Sequence, residues 1–139
     1  MHRAVWRMVD ANANRAAEGL RAAEDILRFL RDDARGSAEA RRLRHALRRA
    51  AAALAPAKRL LAARDARRDV GAGRWRAGQS RRTWRAVLAA NLRRAQEATR
   101  VLEEAARMAG RPGPARRLQS IRYALYGLES AALGPARRG

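Results

Sequence analysis

Two asparagines stand where a helix would carry apolar side chains. At about 100° per residue, Asn12 falls between Val9 and Ala16, and Asn91 falls between Leu88 and Ala95. Arg15 and Glu18 flank the first stripe, and Arg94 and Glu97 flank the second. A buried amide without partners costs about 1–3 kcal/mol, so each Asn needs hydrogen bonds or a ligand. Spacing leaves two readings open. In one, each Asn bonds a neighbouring Arg or Glu across the helices. In the other, an amide reads a ligand.

A second constellation lies in Arg64-Asp65 and Asp69-Val70-Gly71, where two carboxylates stand four residues apart beside Gly71 and Gly73. Carboxylates on a flexible backbone with Arg nearby suit Mg²⁺ and phosphate groups, although Asp and Gly are also ordinary loop residues. The remaining candidates have simpler readings. His45 has no second His at metal spacing and reads as a packed or hydrogen-bonded helix histidine. Tyr123 and Tyr126, near Glu129, read first as core tyrosines with satisfied hydroxyls and second as donors to a ligand. Arg21 with Asp25, and Arg100 with Glu104, read as surface ion pairs. The sequence has no GxxxxGK[ST] loop, no GxGxxG after a strand and no Cys, and no nucleophile–His–acid triad can be argued.

Four segments of helical period must position these residues. Val5, Val9, Asn12, Ala16, Gly19, Ala23, Leu27 and Leu30 recur at steps of three and four until Asp32-Asp33. After Arg35-Gly36-Ser37, Ser37 is the expected N-cap of a helix carrying Leu43, Leu47, Ala50 and Leu54. Pro56 should kink or restart that helix, with Leu60-Leu61 continuing it. From about 64 to 82 the apolar stripe fails, which predicts a long functional loop. Thr83 can cap a third helix through Val87, Leu88, Ala95, Ala98 and Leu102, ended by Gly110-Arg111-Pro112-Gly113-Pro114. Leu118, Ile121, Leu125 and Leu128 mark the fourth.

The chain also repeats itself. DANANRAAEGLRAAED (10–25) aligns with AANLRRAQEATRVLEE (89–104), with seven identities in sixteen at an offset of 79. Leu43-Arg44-His45-Ala46-Leu47 resembles Ile121-Arg122-Tyr123-Ala124-Leu125 at an offset of 78. The expected fold is therefore all-α: an antiparallel four-helix bundle of two duplicated hairpins joined by the long loop. Residues 1–133 are expected to form a single domain, with 134–139 a frayed tail.

Composition agrees with this class. Of the apolar 47%, 35 residues are Ala, and aromatics are only 4%, which argues for helices over sheets. The net charge is +19, with 31 Arg and one Lys. Such charge suits nucleic acid or an anionic membrane. The Arg are spread along the whole chain, however, so a solvated basic surface is the simpler reading, and a third reading has some Arg converging on small phosphorylated ligands. No apolar run reaches the length of a membrane span, and MHRAVWRMVD carries no secretory signal pattern. The expected location is cytoplasmic.

DANANRAAEGLRAAED, LRHAL, LLAARDARRDVG, AANLRRAQEATRVLEE and IRYALYGLE, in this order, resemble one small all-α family. It is the monofunctional hydroxymethylpyrimidine phosphate kinase family of bacterial thiamine biosynthesis, found alone or fused to thiamine phosphate synthase. The resemblance covers roughly residues 5–130. It implies transfer of the γ-phosphate of ATP to hydroxymethylpyrimidine phosphate, with Mg²⁺. Its motif positions fall on Asn12, Arg15, Glu18, Arg44, His45, Arg64, Asp65, Asp69, Gly71, Asn91, Arg94, Glu97, Arg122 and Tyr126. On this footing Asp65 and Asp69 are expected to hold Mg²⁺, and Arg15, Arg44, Arg64 and Arg94 to clamp phosphates. Asn12 or Asn91 is expected to read the aminopyrimidine edge. Ala13, Ala22 and Ala23 replace bulkier aliphatics, and 72–79 matches no part of the pattern. Two alternatives remain: a helical interaction or regulatory domain of a thiamine phosphate synthase fusion, and an Arg-rich nucleic-acid-binding module. Oligomeric state is left open, a homodimer included.

Overall fold

A computed structural model describes residues 2–73 and 80–136, and every regular element among them is helical. Helix α1 (Arg3–Asp25) runs into a π-helical turn (Ile26–Leu30), followed by α2 (Ala34–Leu54), the short α3 (Ala57–Ala63), α4 (Trp84–Met108) and α5 (Pro112–Leu133).

The boundaries follow local chemistry. Asp33, rather than Ser37, caps α2, its Oδ1 accepting the Gly36 N–H at 2.8 Å. Ser37 already lies inside the helix and donates to the Ala34 carbonyl. The expected Arg35-Gly36-Ser37 break is absent because the turn is made earlier, at Asp32 with φ +48°. Asp tolerates this left-handed conformation better than most residues. Pro56 ends α2 and opens α3, and Thr83 caps α4 by accepting the Ala86 N–H at 3.1 Å. Gly110, at φ +65°, turns the chain after α4, and Pro112 occupies the start of α5.

The four long helices form a ring in which α1 packs against α2 and α4, and α5 against the same two. Neighbours are antiparallel. Arg44 of α2 pairs with Glu24 of α1, Arg31 stacks on Trp84 at the start of α4, and Arg111 reaches the Ala53 carbonyl at the end of α2. Leucines fill the interior, among them Leu20, Leu43, Leu47, Leu92, Leu102, Leu118 and Leu125, all nearly inaccessible.

Small residues are buried on both sides of the α1/α4 seam, Ala16, Gly19 and Ala23 on α1 and Ala95 and Ala98 on α4, and Gly19 lies against Asn91 and Ala95. A Cβ on Gly19 would lie 2.7 Å from the Asn91 carbonyl oxygen, so this glycine sets how closely the helices approach. The duplication is visible in bonds as well as backbone. Asn12 Nδ2 donates to the Met8 carbonyl at 2.8 Å, and Asn91 Nδ2 donates to the Val87 carbonyl at 2.9 Å. Glu24–Arg44 recurs as Glu103–Arg122. Equivalent pairs on antiparallel neighbours fit an approximate two-fold axis between the halves. The repeat extends further than the helical motifs: α2 ends on Leu54-Ala55-Pro56-Ala57, and α5 ends on Leu133-Gly134-Pro135-Ala136, again 79 residues apart. Residues 137–139 of the expected tail lie outside the described residues.

Candidate functional site

Two clefts open along the α1/α4 side of the bundle. The first, of about 410 Å³, lies between the N-terminal half of α1 and the turn after α3. Arg7, Asp10, Asn12, Asn14 and Arg15 come from α1, and Arg64, Asp65 and Asp69 come from the turn. Asp10 organises it. Its carboxylate accepts from Arg64 Nε at 2.7 Å and Arg64 Nη2 at 2.8 Å, a fork that fixes the turn onto α1. This hydrogen bond raises the Arg64 pKa above its already high value. Arg7 adds a bond to the Asp65 carbonyl at 3.3 Å, and Arg59 stacks over Trp6. Arg64, expected as a phosphate clamp, is therefore held by Asp10 and acts as a structural tie.

The second cleft, of about 790 Å³, lies along α4 and is lined by Ser80, Arg81, Ala86, Ala89, Ala90, Asn91, Arg93, Arg94 and Glu97, with Arg15 reaching in from α1. Its cations are unlike those of the first. Arg15, Arg81, Arg93 and Arg94 make no ion pair or side-chain hydrogen bond among the described residues. All four are exposed, and with Glu97 the single carboxylate beside them they give the concavity a net positive charge suited to an anion.

The two clefts are related by the repeat. Adding 79 to Arg7, Asp10, Ala11, Asn12, Asn14 and Arg15 gives Ala86, Ala89, Ala90, Asn91, Arg93 and Arg94, all lining the second cleft. Arg15 alone borders both. Each Asn spends its amide N–H on the carbonyl four residues back in its own helix, not on an Arg or Glu across the bundle as one reading expected. Since only the amide nitrogen can donate to a carbonyl, Oδ1 is the end left outside that bond. Asn12 is buried and Asn91 half-buried.

The other expected positions lie elsewhere. Arg44 pairs with Glu24 at 2.7 Å, and Arg122 with Glu103 at 2.9 Å, each tying an outer helix to its hairpin partner. Burial pushes the Glu103 carboxyl up, but hydrogen bonds from Arg107 and Arg122, with the charges of Arg122 and Arg100, outweigh it and hold it below the usual range. His45 is exposed rather than packed. Tyr123 and Tyr126 are exposed too, in edge contact with each other, and the Tyr126 hydroxyl accepts from Arg122. Gln96, not a tyrosine, donates to Glu129. Glu18 and Gly71 are exposed and line neither cleft. Arg21–Asp25 and Arg100–Glu104 are surface pairs, at 3.6 and 3.0 Å.

Among the described residues no group of three His, Asp or Glu converges as a protein-only metal cage. Mg²⁺ needs less, since one or two carboxylates plus phosphate oxygens and water complete its shell. Asp65 and Asp69 fit that demand. Both line the smaller cleft, and each commits one oxygen to a backbone N–H, of Arg68 at 3.2 Å and Gly71 at 2.9 Å. Sequence reasoning missed Asp10, Asn14, Arg81 and Arg93. Asp10 had a signal, because it is a carboxylate on the α1 face whose repeat counterpart is Ala89.

This chain belongs to the ThiD2 family, whose pattern it matches over residues 7–131. It is similar to the thiamine-phosphate synthases of Synechocystis sp. (42% identity over 134 residues), Gloeobacter violaceus (40% over 131) and Rhodopirellula baltica (41% over 127). The alignments cover 94%, 94% and 89% of this chain but only 37%, 37% and 33% of those proteins. The chain thus spans about a third of the length of these relatives. No solved structure matches it. No described helix is long and apolar enough to cross a membrane.

Proposed function

We propose that this chain serves thiamine biosynthesis as a helical module of the kind thiamine-phosphate synthases carry, and that in this role it phosphorylates hydroxymethylpyrimidine phosphate with ATP. The names of the relatives and the third of their length that it matches support the first part. The observation that carries the second is the α4 cleft with its four unpaired guanidinium groups.

Phosphoryl transfer is mostly a problem of holding negative charges in line. The acceptor is a phosphate oxygen, largely ionised near neutral pH, so no strong general base is required. That agrees with two clefts in which no His is present. Arg15 and Arg94 fit as phosphate clamps, whereas Arg44 and Arg122 serve the scaffold. Asp65 and Asp69 would hold Mg²⁺, which when bound offsets part of the polyphosphate charge. A second reading, a purely regulatory or interaction module, draws on the same relatives, whose names specify a synthase and no kinase. An ATPase-coupled assay with ATP, Mg²⁺ and hydroxymethylpyrimidine phosphate separates the two. ADP release that depends on the pyrimidine, with formation of its diphosphate, is expected. A folded chain that forms no diphosphate at millimolar substrates leaves the interaction reading.

A further inference from the structure

We propose that the duplication has divided the reaction between its two clefts, the α4 cleft taking the nucleotide polyphosphate and the α1 cleft the pyrimidine phosphate, with Arg15 shared at their border. This assignment rests on the kinase reading and deepens it.

Charge and size decide which ligand goes where. The α4 cleft is nearly twice the volume of the other, about 790 against 410 Å³. Its formal charge is strongly positive, from Arg15, Arg81, Arg93 and Arg94 against Glu97. A nucleoside triphosphate carries close to four negative charges along an extended tail and needs such a row of unpaired cations. The α1 cleft is balanced instead, with Arg7, Arg15 and Arg64 against Asp10, Asp65 and Asp69. Two of those cations are already engaged with the protein, Arg7 with the Asp65 carbonyl and Arg64 with Asp10. Among the described residues a polyphosphate would find a single unengaged cation there, Arg15. A compact ring with exocyclic polar groups and a single phosphate needs no more than the Asn12 amide oxygen and that one cation, the Asn14 amide being engaged with Asp10 and Arg48.

Arg15 stands where the two ligands must meet. An ionised oxygen of the pyrimidine phosphate attacks the γ-phosphorus, and the bond from that phosphorus to the β,γ-bridging oxygen breaks. ADP leaves with the electron pair, and the acceptor becomes a diphosphate. Four plus two negative charges become three plus three, so no proton is taken up or lost. The transferred group lies between two anions throughout, and a guanidinium bordering both clefts can follow it from one to the other.

The test is equilibrium binding to the full chain by calorimetry, with MgATP and hydroxymethylpyrimidine phosphate titrated separately, followed by steady-state kinetics. Arg93→Ala, with Arg81→Ala as a second variant, should weaken MgATP binding about tenfold or more and leave the pyrimidine phosphate within about twofold. Asn12→Ala, whose side chain lines the α1 cleft, should show the reverse preference. Arg15→Ala should lower kcat more than either binding constant. Variants of both clefts weakening the same ligand, or the opposite assignment of ligands, overturns the division while leaving the kinase reading intact. A wild-type chain that binds neither ligand and forms no diphosphate overturns both.

Discussion

The first half of the chain and the second share a scaffold and differ on one face. Both place an Asn on the carbonyl four residues back and a buried Glu against an Arg of the partner helix. On the α1 face, α3 and the turn after it close over Asp10, Arg64 and two further carboxylates. On the α4 face Ala89 replaces Asp10, Arg93 replaces Asn14, and the guanidinium groups have no partner among the described residues. The difference teaches that both halves keep the Asn and Glu–Arg contacts, whereas the outer faces of the two central helices have diverged in charge. Even the shared contacts are unequal. Among the described residues Glu103 is held by Arg122 and Arg107, with Arg100 at 3.6 Å, whereas Glu24 has Arg44 alone.

That inequality gives the largest expected effect. Arg44→Ala would strand the buried Glu24, and removing one partner of a buried pair costs about 3–5 kcal/mol, here toward the lower end because Arg44 is partly exposed. Arg122→Ala should cost about 1–3 kcal/mol, since Glu103 keeps Arg107 and Arg100. Urea denaturation of the two variants measures the difference. Equal losses, or a larger loss at Arg122, would break the contrast between the halves.

Next in size is the seam. Gly19→Ala should gain up to about 1 kcal/mol of helix propensity, yet its new methyl meets the Asn91 carbonyl at 2.7 Å. The obstacle is backbone, so α1 and α4 must separate, at a cost of about 1–3 kcal/mol. The repeat counterpart, Ala98, already carries a buried methyl, and Ala98→Gly should lose about 1–2 kcal/mol through propensity and the lost burial of that methyl. The expected signature is a drop in melting temperature for both, with turnover reduced only in Gly19→Ala. A stabilised Gly19→Ala would show that the helices are free to move apart.

The pH dependence is a smaller effect. The Glu103 carboxyl is held below its ordinary value, so its ion pairs stabilise the fold fully above the unfolded value of 4.5. That contribution fades as pH falls through the lower folded value. Wild type should therefore lose melting temperature on acidification past 4.5 more steeply than Glu103→Gln, which begins less stable. Parallel curves for the two proteins would remove Glu103 as a source of acid sensitivity.

Much of this architecture could be read in the sequence because it rests on periodicity and punctuation. The apolar steps through Leu118, Ile121, Leu125 and Leu128, the cap at Thr83 and the restart at Pro56 each have a local cause, and the structure contains them. The start of α2 was misplaced because Asp33 and Ser37 are both good caps, and only the left-handed turn at Asp32 decides between them. The candidate site was harder. Asn12, Arg15, Asn91 and Arg94 line the clefts, while Arg44, His45, Arg122 and Tyr126 lie on the outer helices. One-dimensional spacing ranks an Arg by its neighbours along the chain, and both Arg44 and Arg64 are claimed by carboxylates 20 and 54 residues away.

The smallest change in stability is expected at the two asparagines, where it is also most informative. Each amide donates to a carbonyl that already belongs to the helix, at 2.8 Å for Asn12 and 2.9 Å for Asn91, so Asn→Ala should cost only about 0.5–1.5 kcal/mol in either half. Stability thus treats the two sites alike, and kinetics should not. Asn12 lines the cleft with Asn14 and the carboxylates, and Asn12→Ala should raise the Michaelis constant for the pyrimidine phosphate. Asn91 lines the cleft of unpaired guanidinium groups, and Asn91→Ala should raise the constant for ATP instead. A substrate pair without two-fold symmetry cannot use both amides in the same way, so a pseudo-symmetric scaffold should give an asymmetric response. Matching melting temperatures with unchanged kinetics in both variants would make the amides part of the shared scaffold and confine the specialisation to the charged side chains around them.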